Sequence, residues 1–172
     1  MEQITKYFNA EKSESIIFVL VGFVAILLSS YFLIKLKQPF YNGMAFSLIA
    51  IALIQLTVGS SVYLRSSKDI ERVNQIVKTD KSKIQSEEIP RMEVVMKNFE
   101  LYKWIEIALI LVGLIMFFYF QPATIWKGIG LGLFIQAGFM LLLDFFAESR
   151  GKTYIEVLQT ITYDSGKRRT NA

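Results

Sequence analysis

Four apolar runs, at residues 16–34, 40–64, 104–120 and 125–146, take up nearly half of the 172-residue chain and contain three charged side chains between them: Glu106, Lys127 and Asp144. A helix needs roughly 20 mostly apolar residues to cross the hydrocarbon core of a bilayer, and each run meets or approaches that length. A chain with four such runs has to satisfy every backbone N–H and C=O inside lipid, which for helical runs means one helix per run. The expected fold is therefore an all-α integral membrane protein, an antiparallel four-transmembrane-helix bundle in a single domain spanning residues 1–172.

Charge is segregated in the same way. Hydrophobic residues make up 53% of the chain and charged residues 20%, and the charged ones gather between and after the runs. With four spans, the N-terminus, the central segment 65–103 and the tail 147–172 share one face, which holds sixteen of the nineteen Lys and Arg residues; Lys35, Lys37 and Lys127 lie on the other. The positive-inside rule then predicts a cytoplasmic (inner) membrane protein, multi-pass, with both termini cytoplasmic. The first run is too long for the apolar core of a signal peptide and lacks an A-x-A-like site after it, so it is expected to stay. The basic balance is accounted for by topology, and no nucleic-acid partner is expected.

The absence of Cys and His excludes disulfides, thiolate and imidazole metal sites, and triad chemistry built on either residue. No catalytic residue, metal site or cofactor is expected.

Between spans two and three, Ile70, Val73, Ile76 and Val77 continue one apolar stripe, and Met92, Val95, Met96, Phe99 and Tyr102 form another. These predict a cytoplasmic helical hairpin, residues 65–103, extending spans two and three beyond the membrane. Ser86, followed by Glu87, Glu88 and Pro90, reads as the start of its second helix. Residues 1–12 suit a short helix on the membrane surface, and Pro39 is expected to stop the first span. Tyr154, Val157, Leu158 and Ile161 suggest an amphipathic tail helix, with a disordered basic end from Lys167 to Ala172.

Small residues spaced by seven mark the inward faces: Ala45, Ala52 and Gly59 on span two, Gly130 and Ala137 on span four, Gly22 and Ser29 on span one, and Gly113 on span three. Such a period implies a left-handed bundle. On these faces Glu106 and Asp144 fall at one level toward the cytoplasm. An acid inside the membrane is a functional candidate by default, and two together can bind a cation or share a proton. The competing reading is structural: Arg65, Lys103 and Arg150 sit near the cytoplasmic boundary as possible counter-charges. Gln55 and Gln136 are intramembrane polar residues expected to hold helices together, with Gln136 facing a different neighbour from Asp144. Gly128-x-x-x-Gly132 suggests a contact between protomers.

Arg91, Asn98 and Tyr102 share a flank that is superficially similar to the membrane-associated eicosanoid and glutathione metabolism family, small four-span trimers with an Arg and an Asn on a cytoplasmic extension. There the motif opens the second span, and a further arginine and acid accompany it that this chain does not match. The similarity is read as coincidence.

The sequence points first to a non-enzymatic polytopic membrane protein acting in assembly or partner binding, whether as accessory subunit, scaffold or immunity-type protein. Met92, Val95, Met96 and Phe99 on its hairpin are the candidate partner-binding residues, and the expected partners are the lipid bilayer and either a second copy in a homo-oligomer or another membrane protein. The alternative is a small oligomeric channel or transporter moving protons or cations past Glu106 and Asp144; a small membrane enzyme comes third.

Overall fold

A computed structural model of the chain describes residues 2–170, with their side chains as far as Tyr163. The chain is all-helical: α1 Glu2–Tyr31, α2 Pro39–Thr79, α3 Ile89–Tyr119 and α4 Ile125–Thr170, with π-helical turns at Phe32–Leu36 and Ile84–Glu88. Among the described residues, four helices are long and apolar enough to cross a membrane. All four outrun the apolar runs. With 41 and 46 residues, α2 and α4 are about 60 and 70 Å long at 1.5 Å per residue, about twice the thickness of a bilayer core.

The helix ends follow local chemistry. The first helix stops at Lys37, whose left-handed backbone (φ 51°) lets its N–H reach back to the Phe32 carbonyl. Pro39, expected to stop that helix, instead opens α2, where its missing N–H costs nothing. Ser86 is not a helix start either. Helix already begins at Ser82, whose N–H and hydroxyl both donate to the Asp80 carboxylate. Pro90 is then accommodated inside a continuous helix by the wider π turn just before it.

Side by side, the helices run in the order α1, α2, α4, α3. α4 touches all three others, whereas among the described residues the backbone of α3 lies beside no long helix but α4. The seams are made by glycine. A Cβ on Gly43 would collide with the Ile125 carbonyl and one on Gly128 with that of Phe40, so α2 and α4 meet backbone to backbone. Gly113 and Gly130 do the same for α3 and α4, a Cβ on either lying 2.7 Å from the other's carbonyl oxygen. Gly128 and Gly132, expected at a contact between protomers, thus face α2 of the same chain. A short Gly-x-x-x-Gly motif specifies close approach but not whose helix approaches.

The end of the molecule that carries both termini, called here the charged end, differs most from expectation. The backbones of α2 and α3 do not pack on each other there; α4 and the Ile84–Glu88 turn lie between them. The expected two-helix hairpin is a column of all four helices. Its core brings Ile4 and Phe8 of α1 onto Val73 of α2, Met92 of α3, and Tyr154 and Leu158 of α4, all buried. The N-terminal residues are therefore core rather than a surface helix, and the tail is a direct continuation of α4. The basic end expected to be disordered is helical backbone as far as Thr170, and Asn171 and Ala172 lie outside the described residues.

Candidate functional site

Three polar layers cross the bundle, and α4 contributes to each. The first is the Gln136 amide, which donates to the Gln55 side-chain oxygen at 2.5 Å with both side chains buried. This bond joins α4 to α2, the face adjacent to the one that carries Asp144.

The second layer lies on the α3–α4 seam. From the Gly113–Gly130 contact, α3 runs two turns toward the charged end to Glu106, and α4 descends beside it to Asp144. Side chains lean toward the N-terminus of their own helix. In antiparallel helices the two acids therefore lean toward each other, and they lie within direct electrostatic reach. Glu106 is 1% exposed, and neither of its carboxyl oxygens has a hydrogen-bond partner in ordinary geometry. Asp144 is half-buried.

The three possible counter-charges are engaged elsewhere. Arg65 pairs with Asp69 at 3.2 Å and Glu11 at 3.7 Å. Lys103 pairs with Glu148 at 2.8 Å, and Arg150 pairs with Glu14. Among the described residues no ion pair reaches Glu106 or Asp144. The structural ion-pair reading fails because each basic residue has a nearer acid on the charged end, where the chain has acids in plenty.

The third layer is the core of the charged end, centred on Glu88. This carboxylate is fully buried, yet it accepts from Arg72 Nη2 at 2.6 Å, Arg91 Nε at 3.0 Å, Arg91 Nη2 at 2.7 Å and the Tyr154 hydroxyl at 3.1 Å. Burial alone would push its pKa up, but the hydrogen bonds and charge of Arg91, and then of Arg72, outweigh burial and hold it below the ordinary carboxylate value. Tyr7 stacks on Tyr154 with ring centres 4.1 Å apart. Burial raises the pKa of both hydroxyls well above the usual phenol value, so both stay protonated. Around this hub, Glu11 accepts from the Ser66 hydroxyl at 2.9 Å and is pushed up chiefly by burial.

Met92 belongs to this core. It is fully buried, with its sulfur facing the Tyr7 hydroxyl and Arg91 Nη2. Of the four residues assigned to partner binding it is thus turned inward, while Val95, Met96 and Phe99 are half-buried. Met96 packs where Gly151 of α4 leaves room. Arg91, Asn98 and Tyr102 do not converge: Arg91 is bound to Glu88, whereas Asn98 and Tyr102 are exposed.

Sequence reasoning missed Glu88 as a buried hub by reading it as a first-turn acid. The available signal was its spacing: it lies four residues before Met92, on the apolar stripe rather than on the polar flank. Among the described residues no three acids converge as a metal cluster. No protein-family model, curated protein or solved structure matches the chain.

Proposed function

We propose that this chain is a non-enzymatic multi-pass protein of a cytoplasmic membrane, with its charged end in the cytoplasm, that takes up and releases a proton or cation at the Glu106–Asp144 pair. The observation that carries this reading is Glu106 itself: a carboxyl buried in the apolar section whose polar neighbour is a second acid, Asp144, while each candidate counter-charge is committed to another acid. Holding such a group inside a bilayer costs several kcal/mol, a cost that a purely structural residue has no reason to bear. Glycine seams pack a single bundle tightly, so a through-path requires a homo-oligomer whose copies meet beside α3, the helix whose backbone lies along α4 alone among the described residues. The purified chain in liposomes is expected to dissipate a proton or cation gradient, and Glu106→Gln or Asp144→Asn to abolish it. A wild-type protein with no flux, or variants with full flux, would refute the transport reading.

Assembly with a membrane-protein partner is the second reading. It is favoured by the length of helix beyond the apolar runs, which offers a rigid column carrying half-exposed Val95, Met96 and Phe99 beside exposed Val94. Met96→Ser with Phe99→Ser should release a partner that co-purifies with the wild type. Retention of that partner would count against docking on this face.

A further inference from the structure

The α3–α4 seam carries one more pair directly below the acids. Lys103 and Glu148, 2.8 Å apart, lie three residues from Glu106 on α3 and four from Asp144 on α4, toward the charged end. Glu148 also holds Lys152 at 2.7 Å. We propose that the ligand of the Glu106–Asp144 pair is a proton, and that it arrives from the charged end past the Lys103–Glu148 ion pair, which plugs the seam. This rests on the functional reading above and names its ligand and its route.

The choice of ligand follows from donor number. Metal cations held by oxygen take about six or more ligands. The site offers two carboxyl groups, and no third Asp or Glu joins them among the described residues. A proton needs only the two facing oxygens, and sharing it converts like-charge repulsion into a hydrogen bond. The Lys103 ammonium, standing in the approach, opposes the passage of any metal cation.

The route follows from the ladder of side chains. Glu148 is held below the ordinary carboxylate value by hydrogen bonds from Lys103 and Lys152, so it stands ionised beside the seam. It is one helical turn from Asp144. When Lys103 swings out, water can deliver a proton to Glu148, which passes it to Asp144, and the pair then shares it with Glu106; Glu148 returns to its carboxylate. The other charges around this point are Glu100 on α3 and Lys152 on α4. From α1 and α2, Glu14 is bound to Arg150, and Arg65 to Glu11 and Asp69.

The test uses the full chain in phosphatidylethanolamine–phosphatidylglycerol vesicles at neutral pH, read by infrared spectroscopy. The expected result is a protonated-carboxyl band that disappears in both Glu106→Gln and Asp144→Asn. After transfer to D2O, its exchange should be about fivefold faster in Lys103→Gln, the loss of one ion pair, and slower than wild type in Glu148→Gln, which cannot relay the proton. A band whose exchange is unchanged in both plug variants would overturn the route while leaving the acid-pair reading intact. Replacement of the band by carboxylate absorption on adding sodium or potassium chloride would overturn the proton as ligand. Absence of any band that depends on Glu106 or Asp144 would overturn the shared proton, and flux in the same vesicles would then decide the functional reading separately.

Discussion

Removing the Glu88 carboxylate is the sharpest perturbation of the charged end. Glu88→Ala leaves Arg72, Arg91 and the Tyr154 hydroxyl pointing into an emptied pocket, and two guanidinium groups repelling each other. Deleting one partner of a buried ion pair costs about 3–5 kcal/mol. Arg72 is partly exposed and can turn to water, so the low end applies; about 3 kcal/mol is about a 150-fold rise in local opening. Hydrogen exchange of amides 66–76 and 150–158, on the full chain in nanodiscs, reads that opening directly. Arg72→Met and Arg91→Met combined with Glu88→Met should recover most of the protection, because packed apolar groups replace buried ion pairs at little cost. The pH dependence has a definite sign. Glu88 is held below its ordinary value, so its contribution is fully present above about pH 4.3 and is lost as pH falls through its lowered pKa. Glu11, pushed up by burial, acts in the opposite sense and weakens the fold as pH rises through its raised value. After correction for intrinsic exchange, acid should therefore loosen the wild type below about pH 4 and leave Glu88→Ala comparatively flat. Protection in Glu88→Ala within about threefold of wild type, well under the cost of a broken buried pair, would refute the hub.

The glycine seams make a paired prediction. Gly113→Ala should destabilise the α3–α4 contact by about 1–3 kcal/mol, because its Cβ would meet the Gly130 carbonyl at 2.7 Å. Gly138→Ala, with open space around it, should be neutral or stabilising by up to about 1 kcal/mol, and thermal denaturation in detergent ranks the two. Gln136→Leu should cost about 0.6–1.7 kcal/mol, with the double variant Gln55→Leu/Gln136→Leu no worse than either single one if their bond is the whole effect. Arg150→Ala should loosen the N-terminal turns of α1 by stranding Glu14, seen as faster exchange in residues 8–16.

What the sequence made legible was chiefly the apolar section. Helices that long and that apolar leave few alternatives, and small residues in them have one main use. Ala45, Ala52, Gly59, Gly113, Gly130 and Ala137 were read as inward from a seven-residue period, and the structure buries each of them. Pairing was less legible. A glycine face says that a helix approaches closely, but Gly128 and Gly132 suit α2 of the same chain as well as a second copy. At the charged end, solvent restores the alternatives. A stripe such as Ile4, Tyr7 and Phe8 reads equally as a membrane-surface helix or as a quarter of a core, and only the simultaneous presence of Val73, Met92 and Tyr154 decides it. Charge was misleading for a related reason. Arg65, Lys103 and Arg150 have the right height for the two acids of the apolar section, but height does not tell which acid is nearer around the helix.

The order α1, α2, α4, α3 bears on which part of the molecule can move. α4 is held on three sides: by Gln55 and glycine contacts on α2, by Glu14 and the aromatic core on α1, and by α3. α3 is held on one. Below its glycine contact, its hold on α4 passes through an acid pair that repels when both members are ionised and an ion pair reachable by water, before reaching the Glu88 hub. A proton gained or lost at Glu106 and Asp144 therefore changes the adhesion of α3 more than that of any other helix. Amides 94–103 of α3 should exchange faster than amides 62–78 of α2 at the same end, and under alkaline conditions that ionise both acids the gap should be narrower in Glu106→Gln, which lacks the repulsion. An unchanged gap would mean that α3 is held by the Glu88 hub alone, and that the acid pair does not govern how the bundle opens.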